Sequence, residues 1–183
     1  MLASQSPRRA EILQRAGIPF VVRSVEVDES PIDGESPRDY VRRLAEWKAM
    51  AVDASPVELV LGADTTVVID GEMLGKPTDA ADARRMIARL AGRRHEVLTG
   101  IFVRRGRHRV SDWAATQVWF APMSGAEIDT YAASGEPMDK AGGYAIQGLA
   151  SKYVERINGC YFNVMGLPVA LVYRYLTGTS WDG

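Results

Sequence analysis

Asp64 lies in a β-branched run, Val60-Leu61-Gly62-Ala63-Asp64-Thr65-Thr66-Val67-Val68-Ile69, where a buried carboxylate is costly unless a cation, a donor or a metal ion meets it. Two readings compete. Either Gly62-Ala63-Asp64 is a bulge or strand end whose nearby amides satisfy the carboxylate, or Asp64 belongs to a site that handles a cation. Glu29, with Asp28 beside it, offers a second carboxylate in an acidic, turn-rich stretch. Two carboxylates with water and phosphate oxygens are the ligands that Mg²⁺ or Mn²⁺ prefers. Arg8 and Arg9 follow Ser6-Pro7 at a helix start, where free amides and the dipole favour an anion and positive charge is the disfavoured sign. They read as a phosphate clamp, or more plainly as two solvated arginines. Lys48 shares an apolar helical stripe, from which lysines ordinarily snorkel to the surface. Lys76, between Gly75 and Pro77, is by itself an exposed loop lysine, of interest only in company with the others. Gln147 either satisfies a turn or reads the donor and acceptor edge of a base.

Other chemistries find less support. Cys160 as a nucleophile needs a basic partner that neither His95 nor His108 suggests, and the three together fall short of a zinc ligand set. Trp47, Trp113 and Trp119 sit at positions suited to packing, and Trp181 reads as part of a loose tail. No Gly-x-Gly-x-x-Gly follows a strand and no Walker loop is present, so a Rossmann sheet is disfavoured.

Composition narrows the classes further. With 22 Lys plus Arg against 23 Asp plus Glu, the net charge of -1 provides no global field for a nucleic-acid backbone or an anionic membrane, so any anion site is local. No apolar run approaches the roughly 18 residues of a membrane span, no leader pattern opens the chain, and one cysteine suits a reducing compartment. A cytoplasmic location is expected, with no stable nucleic-acid partner and no membrane contact. A length of 183 residues is enough for one sizeable core or two closely packed lobes.

Helices and strands that would carry these residues interleave along the chain. Ser6-Pro7 opens a helix that Gly17 stops, Phe20–Val27 suits a strand, and Ser36-Pro37-Arg38-Asp39 opens a helix with Val41, Leu44, Lys48 and Ala51 on one face. The strand Glu58–Ile69 ends in the hairpin turn Asp70-Gly71. Thr78 is expected to cap a helix through Leu90, followed by strands Val97–Arg104 and Val110–Ala121 around Gly106, and Ser124 caps a further helix. Residues 135–148 are turn-rich, Tyr153–Ile157 suits a strand, and Leu167–Leu176 an apolar helix. Interleaved elements with adjacent-strand turns predict an α/β fold with a mixed sheet.

The segments Leu2-Ala3-Ser4-Gln5-Ser6-Pro7-Arg8-Arg9, Gly62-Ala63-Asp64-Thr65 and Gly75-Lys76-Pro77 together resemble the signature of the Maf nucleotide pyrophosphatase family. The resemblance continues through Asp139-Lys140-Ala141-Gly142-Gly143-Tyr144-Ala145-Ile146-Gln147-Gly148 and Asn163-Val164-Met165-Gly166-Leu167-Pro168, in order along nearly the whole chain. The first of these two resembles the branch that hydrolyses dTTP and UTP, in contrast to the branch acting on 7-methyl-GTP.

The resemblance implies a nucleoside triphosphate pyrophosphatase that releases the monophosphate and pyrophosphate. Asp64 would be the catalytic acid/base; Arg8, Thr65 and Gln147 the specificity positions; Lys48 and Lys76 phosphate contacts beside the arginines; and Glu29 with Asp64 the holders of a divalent Mg or Mn cofactor. It further implies a single domain over residues 1–183, a Maf/ITPase-like mixed sheet flanked by helices in two lobes around a cleft, a nucleotide as partner, and a homodimer. Two other functions stay open at this point: a nucleotide-binding regulator connected with septation, without turnover, and a pyrophosphatase directed at modified purines. The chain begins at Met1-Leu2-Ala3 where the family often has a few more apolar residues, so a short first strand or a misassigned start is expected.

Overall fold

Turn chemistry and capping fix most of the element boundaries. The structure, a computed structural model, describes residues 1–178 and 181. Its strands are β1 (Leu2–Ala3), β2 (Val60–Ile69), β3 (Glu72–Leu74), β4 (Arg94–Arg105), β5 (His108–Phe120) and β6 (Val154–Asn158). Its helices are α1 (Pro7–Arg15), α2 (Pro37–Ala51), α3 (Ala80–Leu90), α4 (Gly125–Ala132), α5 (Tyr161–Met165) and α6 (Val169–Gly178). Short 3-10 segments occupy Glu136–Asp139, Ala141–Gly143 and Leu149–Tyr153, within or next to the stretch expected to be turn-rich.

The strands form one mixed sheet in the order β1-β2-β4-β5-β6, with β3 paired to β2. β1 runs parallel to β2, placing Leu2 against Leu61 and Ala3 against Gly62, whereas β3 and β6 run antiparallel to β2 and β5. The β2–β3 turn is the Asp70-Gly71 pair, with φ of 53° and 78°, the left-handed geometry that matches hairpin twist.

The chain divides into two compact units, Met1–Thr65 with Thr99–Ala114 and Gly166–Gly183, and Thr66–Leu98 with Ala115–Met165. In the first, Ala3, Ala45, Ala49, Val52, Val60 and Phe102 form a buried cluster. Ser36 caps α2 by accepting from the Asp39 amide, and Val41, Leu44, Ala45, Lys48 and Ala49 form its buried face. Two glycines let this helix lie against the strands: a Cβ at Gly62 would stand 2.1 Å from the Ala45 carbonyl oxygen, and one at Gly100 2.3 Å from that of Val41. In the second unit, α3 buries Ala83, Met86, Ile87 and Leu90 and packs against α4. His95, Phe120 and Tyr144 meet edge to face, with ring centroids 4.8–5.3 Å apart.

Three local expectations are corrected. Phe20–Val27 is not a strand: only Val22 makes an isolated parallel bridge, to Leu2, and Val21 and Val22 lie exposed, so no second layer rewards further pairing. The α3 cap is Asp79, which accepts from the Asp82 amide, rather than Thr78. Trp181 is buried and donates its indole N–H to the Tyr175 carbonyl at 3.0 Å, instead of lying in a loose tail. No helix among the described residues is long and apolar enough to cross a membrane.

Candidate active site

The costly carboxylate has its cation. Lys48 reaches from the apolar face of α2 to β2, where its ammonium donates to Asp64 Oδ1 at 2.5 Å and pairs with Glu29 Oε1 at 2.6 Å. Asp64 and Lys48 are both buried, whereas the Glu29 side chain keeps 44% of its exposure. The lysine therefore does not snorkel to the surface, because two carboxylates compensate its charge within the fold. Burial holds the Asp64 carboxyl above the usual carboxylate range, with Lys48 and then Arg9 opposing that shift. Tyr40 donates its hydroxyl to the Glu29 carbonyl at 2.9 Å, and burial, followed by the charges of Asp64 and Glu29, pushes that hydroxyl up to about 12. Tyr40 thus stays a neutral donor that tethers the loop bearing Glu29, a contact for which its sequence position gave no cue.

Beside Asp64, the Thr65 hydroxyl is held by a second network. Arg9 donates from Nε to the Gly166 carbonyl at 2.8 Å, from Nη1 to Ser4 Oγ at 2.9 Å and from Nη2 to Thr65 Oγ1 at 3.1 Å. The Thr65 hydroxyl also meets Thr99 Oγ1 at 2.9 Å. Arg9 is buried, and burial draws its guanidinium below its usual value while Asp64 opposes the change. Its Nε and one N–H of each Nη donate to protein acceptors, so Arg9 ties α1 and β2 to the Gly166 carbonyl while a second N–H remains on each terminal nitrogen. Ser4 and Thr99 were not singled out as site residues; Ser4 lies inside the N-terminal motif, while Thr99 looks like any β-branched strand residue.

Arg8, in the first turn of α1, is partly buried. That turn contains no acidic residue, and Ser6 makes no side-chain cap, so no group of the helix itself offsets its positive end. Lys76 and Gln147 belong to the second unit and are both exposed. The structure thus gathers Glu29, Lys48, Asp64, Thr65 and Arg9 in the first unit, and their chemistry is that of a charged, partly desolvated carboxylate site.

As for a metal ion, the Glu29 and Asp64 carboxylates flank one ammonium, that of Lys48, so two side chains with hard oxygen donors lie close together. This hard-oxygen pair suits a divalent cation of the Mg²⁺ or Mn²⁺ kind. Among the described residues no group of three or more His, Cys, Asp or Glu side chains is placed to hold a metal ion, so remaining ligands would come from water and phosphate.

Comparison with known proteins agrees with these motifs. The Maf-like protein family model matches residues 1–179. A dTTP/UTP pyrophosphatase of Symbiobacterium thermophilum is 51% identical, covering 97% of this chain and 92% of its own. Proteins of the same name from Anaeromyxobacter sp. strain Fw109-5 and Pseudoalteromonas atlantica are 54% and 47% identical, covering 100% and 98% of this chain and 92% and 96% of theirs. A solved nucleoside triphosphatase / dITP/XTP pyrophosphatase of Mycobacterium abscessus aligns at a TM-score of 0.39 and 16% identity over 67% of this chain and 74% of its own, too distant to bear on function. With motifs in register along its length and a family match from end to end, the chain belongs to the Maf-like protein family.

Proposed function

We propose that this protein hydrolyses dTTP and UTP to the nucleoside monophosphate and pyrophosphate, residues 1–183 acting as one pyrophosphatase domain. The observation that carries the reading is the buried Asp64 carboxylate held by Lys48 next to Glu29, in a chain about half identical to proteins named dTTP/UTP pyrophosphatase. Water attacks the α-phosphorus, the bond to the bridging oxygen of the β-phosphate breaks, and pyrophosphate leaves. Asp64 takes the proton of the attacking water, a task to which a carboxyl raised by burial is better matched than an ordinary one.

Glu29 and Asp64 would hold a Mg²⁺ or Mn²⁺ ion, which when bound neutralises charge on the triphosphate and favours attack at phosphorus. Lys48 favours the ionised form of Asp64 against the effect of burial and lends positive charge to the departing phosphates. Arg8 in the first turn of α1 is a phosphate and specificity contact, and Arg9 is a phosphate contact that also orients the Thr65 hydroxyl. The parts of Lys76 as a phosphate contact and of Gln147 as a base reader rest on the motifs that contain them. The same reading takes the protein to be cytoplasmic and homodimeric; a solution mass of twice the 20.1 kDa chain would support the latter.

The test is incubation with dTTP, UTP, CTP, GTP and 7-methyl-GTP in Mg²⁺ or Mn²⁺, resolving nucleotide products and measuring pyrophosphate against phosphate. Monophosphate and pyrophosphate from dTTP and UTP are expected, with a loss of at least about 100-fold in Asp64→Asn, the scale of removing a general base. Phosphate release, or near-normal turnover by that variant, would overturn the reading. Tight nucleotide binding without turnover would instead indicate a regulator.

A further inference from the structure

Gln147 occupies the third position of a tight turn that Gly148 closes by donating its amide to the Ala145 carbonyl at 3.1 Å. Ala145 and Ile146 are buried while Gln147 stands exposed, so the turn offers one side chain to its surroundings. Both flanks of the turn lead to a single carboxylate. On the far side, the Leu149 amide donates to Glu136 Oε2 at 2.9 Å. On the near side, the Ala145 amide donates to the Tyr131 hydroxyl at 3.3 Å, and that hydroxyl donates to Glu136 Oε1 at 2.8 Å. The tied amides therefore lie two residues before and two residues after Gln147.

We propose that Glu136 and Tyr131 form a clamp that sets the height and direction of the Gln147 turn, making them positioning residues for discrimination of the nucleotide base. The inference rests on reading Gln147 as the residue that meets the base.

Three further features fit a clamp built for close approach. A Cβ at Gly148 would fall 2.1 Å from Glu136 Oε2, so only glycine lets the carboxylate reach the turn. The Lys140 ammonium donates to the Glu136 carbonyl at 2.6 Å, anchoring the clamp's own backbone. Burial, then the bond to Glu136, holds the Tyr131 hydroxyl far above its ordinary range, so it remains a donor to the carboxylate at any working pH. An amide that reads a base by paired donor and acceptor contacts tolerates little displacement, because a small shift leaves buried polar groups unpaired. Two fixed flanks supply that precision without any contact of Glu136 or Tyr131 with the substrate.

The test compares the wild type with Tyr131→Phe, Glu136→Gln and Gln147→Ala in kcat and KM for dTTP, UTP and CTP. Melting temperature and amide hydrogen exchange over residues 145–149 are measured alongside. In Tyr131→Phe and Glu136→Gln, KM for dTTP and UTP should rise about tenfold and the preference over CTP shrink by a similar factor, while kcat stays within about threefold. Exchange at the Ala145 amide should quicken in the first variant and at the Leu149 amide in the second. Should Gln147→Ala lose selectivity while both clamp variants keep it, the clamp is refuted and the base-reading role of Gln147 stands. Should Gln147→Ala itself keep wild-type selectivity, that reading falls and the clamp's role falls with it. An equal fall in kcat for all three nucleotides with a lowered melting temperature would reduce the pair to structural support. If Glu136→Gln fails to fold, Tyr131→Phe decides, because it keeps the ring and removes one hydroxyl.

Discussion

The Lys48 ammonium stands 2.5 Å from Asp64 Oδ1, inside the fold, and its second partner, Glu29, is the more exposed carboxylate. Removing the lysine therefore strands charge at Asp64 far more than at Glu29. Lys48→Met should lower stability by about 3 kcal/mol, the low end for an uncompensated buried charge, since Arg9 still acts on Asp64 through space. Adding Asp64→Asn removes the stranded charge, and the double variant should regain most of the loss in urea unfolding. A double variant no more stable than Lys48→Met alone would show that the two groups are not coupled in this way.

Arg8 and Arg9 are neighbours, but Arg9 is the more deeply buried and carries the ties to the fold. A single ammonium cannot span the Gly166 carbonyl, Ser4 and Thr65 as the Arg9 fork does, so Arg9→Lys should cost about 2–3 kcal/mol in stability, the worth of charged hydrogen bonds left unmade. Arg8→Ala should leave the melting temperature within a few degrees and raise KM for dTTP several-fold, the signature of lost substrate binding. Thermal unfolding and steady-state kinetics on both variants check the pair of outcomes together. An Arg9→Lys protein of wild-type stability would show that the fork does not serve as such a tie.

Residues that break a local rule were legible in the sequence. A carboxylate in a β-branched strand called for a cation, a donor or a metal ion, and the structure supplies the cation from Lys48, a lysine whose stripe position pointed rather to the surface. The Asp70-Gly71 turn and the Ser36 cap were equally plain, because their chemistry is confined to a few consecutive residues. What could not be read depends on distance along the chain. The partner of Arg9 Nε is a carbonyl 157 residues away, so the tie that Arg9 makes within the fold had no local cue. Val21 and Val22 have the composition of a strand but meet no layer to bury them. Glu136 has no cue in its neighbours, since its ties to Ala145 and Leu149 exist only once the turn has formed.

His95 provides an acid-side signature of the second unit. Burial lowers its imidazole from 6.5 to about 3, while its Nε2 meets the Tyr144 hydroxyl at 2.7 Å. Above pH 6.5 both folded and unfolded chains carry a neutral ring, so the group adds no pH dependence. As pH falls from 6.5 toward 3 the unfolded chain takes a proton that the folded one refuses, and stability is lost with a slope approaching about 1.4 kcal/mol per pH unit. Asp64, with its raised carboxyl, acts in the opposite direction in any variant that retains it. The difference between wild-type and His95→Gln denaturation curves across pH 4.5–6.5 therefore isolates the ring, and the variant should show the flatter acid limb. Parallel curves would mean that His95 is protonated within the fold.

Gly62 sets how closely α2 lies against β2, and with it the distance from Lys48 to Asp64. A methyl group there would meet the Ala45 carbonyl oxygen at 2.1 Å and the Ala49 backbone nitrogen at 2.9 Å, atoms that cannot rotate away as a flexible side chain would. Gly62→Ala must therefore push the helix outward, at a cost of about 1–3 kcal/mol for overpacking. The displacement lies on the α2 turn next to Lys48, so the ammonium should lose its short contact with Asp64, and turnover should fall by more than the loss of folded protein explains. Measuring kcat per folded molecule, by active protein titrated at a temperature well below the melting point, separates the two effects. Wild-type kcat in a destabilised Gly62→Ala protein would show that Lys48 can follow Asp64 despite the shift, and that close packing of α2 serves stability alone.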